Sequence, residues 1–416
     1  MTIAPPAARI FAVFVLLLGC TVAFPEETLA LPPGVYSLGG AFDEHRGQPR
    51  RLDFPRTLST DGEWVFSDRG LGSTLIYTDG RRVDAGAGEF DTGLSPDIDA
   101  DFYVHAISPS GTTRLGRLTW RDPDTGALGR RDVIQPSDGP SADIVGSGPE
   151  AGRAISPNGE FVLRNEFELV GGITPIRPRV WSRGMGYVDY STPDGMRWAD
   201  PQFVANDGTV AGLRILENEL ADGTVQPGLR EGLIVWEPDG TARLLDPPTW
   251  ESGVPWLADQ IHAFSSGGTH VVASDGPYAR VLDVDSGDNW QLNSVPAGGS
   301  FVEVIEANAV TADGSMVVGS AEFDGPIGRF EYATVWTRDG GHFELSTFLQ
   351  LAGIDTTGWG FSKIMDVSDD GRTFIGLGGR AGSPDYLFYA VIPEPNTALL
   401  LGFGLATLSW SRRGLA

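Results

Sequence analysis

From about residue 30 to residue 392 the chain sets short apolar runs between clusters of Gly, Asp, Asn and Ser, and no stretch there spaces its apolar residues helically. That is a strand-and-turn pattern. It also repeats. "RTLSTDGEWVF" (from Arg56), "HAISPSGTTRL" (His105), "RAISPNGEFVL" (Arg153), "QFVANDGTVAG" (Gln202), "HAFSSGGTHVV" (His262), "NAVTADGSMVV" (Asn308) and "MDVSDDGRTFI" (Met365) share one layout. An apolar segment is followed by a small or polar triplet, a glycine and a second apolar segment. The anchor glycines are Gly62, Gly111, Gly159, Gly208, Gly268, Gly314 and Gly371, spaced by 49, 48, 49, 60, 46 and 57 residues. A near-constant period of this length marks a repeat architecture.

Each copy predicts two strands joined by a tight turn, because Asp-Gly, Asn-Gly and Ser-Gly supply the positive φ that such turns need. A second hairpin follows, as in "GLIVWEPDGTARLLD" (from Gly232), "ARVLDVDSGDNWQLN" (Ala279) and "ATVWTRDGGHFELS" (Ala333). Four strands in about fifty residues make a propeller blade, so the expected fold is all-β: a seven-bladed β-propeller over 31–392. The seventh copy has a third strand near Tyr386–Val391 and no fourth. A spare strand near Val35–Leu38 is expected to supply it and lock the ring. Around the anchor glycines, "ISPNG" and "TADGSMVVGS" resemble the HAF-type and TolB-type propeller repeats of exported bacterial proteins. They depart from the sialidase Asp-box, because Asp61-Gly62, Asp313-Gly314 and Asp370-Gly371 are adjacent pairs. No sialidase chemistry is carried over.

The two ends break the pattern. Residues 1–23 carry Arg9, an apolar stretch from Ile10 to Leu18 and small residues at Thr21-Val22-Ala23, the layout of a secretory signal peptide. Leu17-Leu18-Gly19-Cys20 is a loose lipobox, so lipidation of Cys20 is the alternative processing. Cys20 is the one cysteine of the chain, and cleavage after Ala23 would leave no disulfide or thiolate metal site. Residues 393–416 hold Pro393-Glu394-Pro395, an apolar run over Thr397–Trp410 and the pair Arg412-Arg413. Fourteen helical residues reach about 21 Å, short of a ~30 Å hydrocarbon core. In order and position these parts resemble the PEP-CTERM sorting signal of Gram-negative bacteria. The resemblance implies an exosortase as processing partner, and a transmembrane helix held briefly in the inner membrane by the flanking arginines, then removed. It implies a final place in the periplasm, at the cell surface or in the extracellular matrix.

Asp and Glu outnumber Lys and Arg 55 to 30, a net charge of −25, which repels phosphate backbones and sets nucleic acid aside. Six residues before the anchor glycines stand Arg56, His105, Arg153, Gln202, His262, Asn308 and Met365, six of them polar. At one end of each innermost strand they would ring the channel mouth, four of them potentially cationic, and suit an anionic or sugar ligand; a solvated rim is the plainer reading. Trp198, Trp250, Trp256 and Trp359 fall between blades, and Trp120, Trp181, Trp236 and Trp336 in third strands; packing explains them better than sugar stacking, with Trp250 the best exception. Asp97, Asp99 and Asp101, and Asp283, Asp285 and Asp288, alternate as in calcium loops but lack the Gly and Glu of a full loop, so no cofactor is expected and Ca2+ is the weak alternative. "LDVDSGDNWQL" reads better as a hairpin turn.

Catalytic motifs are lacking: no His-Glu-x-x-His, no Gly-x-Ser-x-Gly, no phosphate loop. Glu217, Glu219, Glu322 and Asp324 are expected in long loops between second and third strands. The expectation is a monomeric, non-catalytic surface or matrix protein binding exopolysaccharide or another surface protein; the alternative is a polysaccharide hydrolase or lyase using rim carboxylates.

Overall fold

The computed structural model describes residues 32–393, apart from short intervening segments, chiefly 86–99, 144–153, 168–175, 192–195, 246–257, 293–304 and 381–385. The signal peptide, Cys20, Glu394, Pro395, the apolar tail and Arg412-Arg413 lie outside the described residues. The chain from Pro32 onward forms a compact unit of its own.

Seven four-stranded antiparallel sheets follow one another along the described chain. Their innermost strands are Phe54–Leu58, Ala100–Ile107, Ala154–Ile155, Ala199–Val204, Gln260–Phe264, Ile305–Val310 and Trp359–Val367. This is the seven-bladed propeller that the repeat predicts. The seventh blade takes its outer strand from the other end of the ring: Gly34–Gly40 pairs with Tyr386–Val391, Gly34 opposite Val391 and Tyr36 opposite Tyr389. A two-stranded hairpin, Phe42–His45 with Gln48–Arg51, precedes the first blade and had no counterpart in the pattern.

The core lies between blades. Ala211, Leu213 and Leu233 of blade 4 pack with Ile261, Val271 and Leu282 of blade 5, and Val272, Val281 and Leu292 of blade 5 pack with Ala307, Val310 and Trp336 of blade 6. Alternate side chains such as Val271 and Val272 thus serve opposite neighbours, so blade 5 is covered on both faces. Blades 6 and 7 add a helix, Leu345–Leu351, whose Leu345 and Leu349, one turn apart, fill the shared cluster. No helix was expected outside the two ends; seven residues are too few to display a helical period.

The anchor turns explain the repeat. Residues such as Ser108, Ser156, Ser265 and Ser368 stand three before the anchor glycine, and each carbonyl accepts that glycine's N–H. The glycines hold φ of +65° to +94°, so this is a type I turn closed by a left-handed residue. The serine or threonine hydroxyl at this position then accepts the N–H five residues on: Ser59 from Trp64, Ser108 from Thr113, Ser156 from Phe161, Ser265 from His270, Thr311 from Met316 and Ser368 from Thr373. Ala205 breaks the series in blade 4.

The glycines also touch the preceding blade. A Cβ on Gly314 would stand 2.1 Å from the His270 ring, and one on Gly208 3.0 Å from Phe161. Neighbouring turns are linked directly by Ser110 N–H to Pro157 O (2.9 Å), Asn206 N–H to Ser266 O (2.9 Å) and Ala312 N–H to Asp369 O (3.2 Å).

Candidate functional site

The residues six before each anchor glycine share a structural cause. In the six described cases, the pairing of innermost and second strands skips one residue: Arg56, His105, Gln202, His262, Asn308 or Met365. Each is the extra residue of a β-bulge, two positions before the end of its strand, where the bulge re-aims its side chain. Arg153 lies outside the described residues, as does the side chain of Arg56.

Each bulge needs a small partner. Opposite the residue that precedes it stand Ser67, Gly116, Gly212, Ala273, Gly319 and Gly376. A Cβ on Gly319 would lie 1.9 Å from the Glu306 carbonyl oxygen, and one on Gly376 2.0 Å from that of Lys363. A small residue four or five after the anchor glycine is the sequence signal that could have revealed the bulges.

The bulge residues are engaged with their surroundings. Gln202 Nε2 donates to Asp200 Oδ2 (3.0 Å), and the buried Asp200 carboxylate also holds Arg230 at 2.8 Å. Asn308 Nδ2 donates to Ile364 O of blade 7 (2.7 Å). Beside it, the chain's single lysine, Lys363, pairs with Glu306. His262 Nε2 and Ser274 Oγ share a hydrogen bond of 2.8 Å. Burial pushes the His262 imidazole below its ordinary pKa, against the pull of Glu306 and Asp259, so it is neutral at pH 7. His105 is exposed, its ring 4.9 Å from that of Tyr103. Met365 is half-buried. Of the four potentially cationic groups, His262 is thus neutral, His105 is exposed, and the side chains of Arg56 and Arg153 lie outside the described residues.

A cavity of about 150 Å³ occupies the channel at the end where the anchor turns meet. All seven blades line it, through Leu58, Pro109, Pro157, Phe203, Phe264, Asn308 and Asp366. Of the bulge residues only Asn308 reaches it among the described residues. Its two carboxylates, Asp366 and Asp369, belong to blade 7. Asp366 Oδ2 accepts Leu58 N–H of blade 1 across the seam at 2.9 Å, and Oδ1 accepts Val367 N–H at 2.8 Å. Burial pushes the Asp366 carboxyl up to about 6; the two N–H groups pull it down and Asp369, also in the wall, pushes it further up.

The other candidates fall elsewhere. Glu217, Glu219, Glu322 and Asp324 lie within strands, Val210–Glu219 and Met316–Gly325, which with Val225–Trp236 and Gly328–Thr337 form long hairpins of blades 4 and 6. The expected loops are thus paired strands: polar residues on a ladder beyond the blade core carry no apolar alternation to reveal them. Trp181, Trp236 and Trp336 are buried in third strands, as expected. Trp120 is instead in a second strand, Thr113–Arg121, where its ring faces Gly129 and lies 5.8 Å from the Arg131 guanidinium. Trp359 stacks on Phe361 at 5.9 Å. Trp198, Trp250 and Trp256 lie outside the described residues. Asp283 is the hairpin turn expected of it, its Oδ1 accepting Asp285 and Ser286 N–H. Asp97 and Asp99 are outside the described residues, and Asp101 is exposed on an innermost strand. Among the described residues no three His, Cys, Asp or Glu side chains converge as a metal site, and no helix is long and apolar enough to cross a membrane.

Among curated proteins none matches the chain significantly. Solved structures similar to it include a TolB from Agrobacterium tumefaciens (14% identity, covering 83% of this chain and 93% of that one, TM-score 0.34). Others are virginiamycin B lyase from Staphylococcus aureus (13%, 82% and 95%, TM-score 0.38) and Kuenenia stuttgartiensis hydrazine synthase (13%, 83% and 97%, TM-score 0.41). At these scores they carry no functional argument, and the blade count rests on the sheets themselves. Residues 391–413 match the PEP-CTERM protein-sorting motif, which makes this chain an exported β-propeller sorted by an exosortase towards the cell envelope or surface.

Proposed function

We propose that the mature protein is a non-catalytic binding or structural propeller of the cell surface or matrix, associated with exopolysaccharide. One observation carries this reading: the ring is complete where the sorting motif begins. Val391 pairs with both Gly34 and Thr373, and Ile392 N–H donates to Arg372 O, while the matched motif starts at residue 391. Removal of everything after Pro395 would leave each of these bonds in place. The bulge residues support a non-catalytic role, since Gln202, His262 and Asn308 are held in bonds within and between blades.

The rival reading, a polysaccharide hydrolase or lyase, draws on Asp366, a carboxyl near the pKa of a general acid. The test has two arms. Mass spectrometry of the protein from its native host should find a chain ending near Pro395; a chain retaining Arg412 and Arg413 would overturn the processing. The host exopolysaccharide should retain the protein without being shortened. Accumulation of new reducing ends or unsaturated sugars, abolished in Asp366→Asn, would replace the binding role with the enzymatic one.

A further inference from the structure

We propose that the cavity at the anchor-turn end of the channel binds a small alkylammonium ion, its charge against Asp366 and Asp369 and its hydrocarbon against Phe203, Phe264 and the paired prolines Pro109 and Pro157. The argument begins with Asp366. Its two oxygens accept backbone N–H groups of Leu58 and Val367, which leaves lone pairs available on both. Among the described residues no cation pairs with it, although Glu306 and Asp200, on other innermost strands, have Lys363 and Arg230. A carboxylate in a low-dielectric wall without a counter-charge is destabilised, and a cation entering from solvent relieves it.

The rest of the lining says which cation. The hydroxyls of Ser59 and Ser368, which also border the cavity, are turned into their own hairpins to accept Trp64 and Thr373 N–H. They are not arranged as the six to eight oxygens that calcium takes. Apart from Ser266 and Asn308, whose Nδ2 is bound to Ile364 O, the remaining wall is aliphatic and aromatic. Carboxylate on one side and aromatic rings on the other is the chemistry that holds organic ammonium groups. The volume of about 150 Å³ is below the ~300 Å³ of ordinary ligand pockets and limits the occupant to a small molecule. The face outside adds attraction, since the turns carry exposed Asp207, Asp313, Asp369 and Asp370. This site is independent of the saccharide role: it lies inside the ring and has its own readout.

The full-length protein, titrated calorimetrically with n-butylammonium chloride at neutral pH, should show saturable binding at one site per chain. The uncharged isostere n-butanol should show none, and calcium chloride should not compete. Asp366→Asn should weaken the amine at least tenfold, and Phe264→Ala severalfold. The amine should also raise the unfolding temperature, because it neutralises the carboxylate that joins blades 7 and 1. Equal affinity for butanol, or unchanged affinity in an Asp366→Asn protein, would overturn the proposal. If Asp366→Asn does not fold, Asp369→Asn combined with Phe264→Ala serves instead, and wild-type affinity there would overturn it as well. So would the absence of saturable amine binding in the wild type.

Discussion

Two junctions on the same face of the ring solve the same problem differently. Between blades 2 and 3, 4 and 5, and 6 and 7, backbone N–H groups of one turn donate to backbone carbonyls of the next. Between blades 7 and 1 the acceptor for Leu58 N–H is the Asp366 side chain. A carbonyl is neutral at every pH, whereas a carboxylate brings a charge into a site that disfavours it. Those three backbone junctions are therefore indifferent to pH, whereas the seam carries a group that titrates.

The comparison can be broken first at the bulges. Gly319→Ala presses a methyl against the Glu306 carbonyl, with no side chain able to move aside; the expected loss is about 3 kcal/mol in urea unfolding. Gly287→Ala, at an outer turn with open space around it and φ of +75°, should cost about 1 kcal/mol. Equal losses would show that the bulge tolerates a side chain.

The seam gives the next effect. Asp366 has a folded-state pKa of about 6 against an unfolded value of 3.8. Its charged form is thus disfavoured by folding, so stability is full below about pH 4 and declines as pH rises through 6. The decline is up to about 3 kcal/mol, from 1.36 kcal/mol per unit. Carboxylates such as Asp283 and Asp313, held low by N–H and hydroxyl donors that outweigh partial desolvation, act oppositely at lower pH. The difference between wild type and Asp366→Asn isolates the seam; parallel stability curves from pH 4 to 7.5 would remove it.

The smallest effect sharpens the repeat itself. Ser265→Ala removes the acceptor for His270 N–H and should cost about 1 kcal/mol by thermal unfolding. Ala205→Ser, which restores the majority residue to blade 4, should not destabilise.

Much of this ring was legible because turns are local. Anchor glycines, the hairpins beside them and the missing strand of blade 7 all follow from residues a few positions apart, and the strand near Val35 was found by subtraction. The bulges left only a faint trace, the small residue four or five after each anchor glycine, because a skipped residue is a property of two paired strands; Gly319 takes on that meaning once Ala307 is known to face it. The charge of a ring residue is hard to read for a related reason. His262 has a basic side chain in sequence, but its charge depends on burial. Asp366 stood in the quoted repeat "MDVSDDGRTFI" and gave no signal there, since only its place against blade 1 sets it apart.

The pairing of Gly34 with Val391 also sets an order of events. The first strand of the ring has its partner at the far end of the propeller. Until Tyr386–Val391 is in place it is an unsatisfied edge, open to any other exposed strand. That partner lies just ahead of the sorting motif, so a chain cut short of it leaves the ring open.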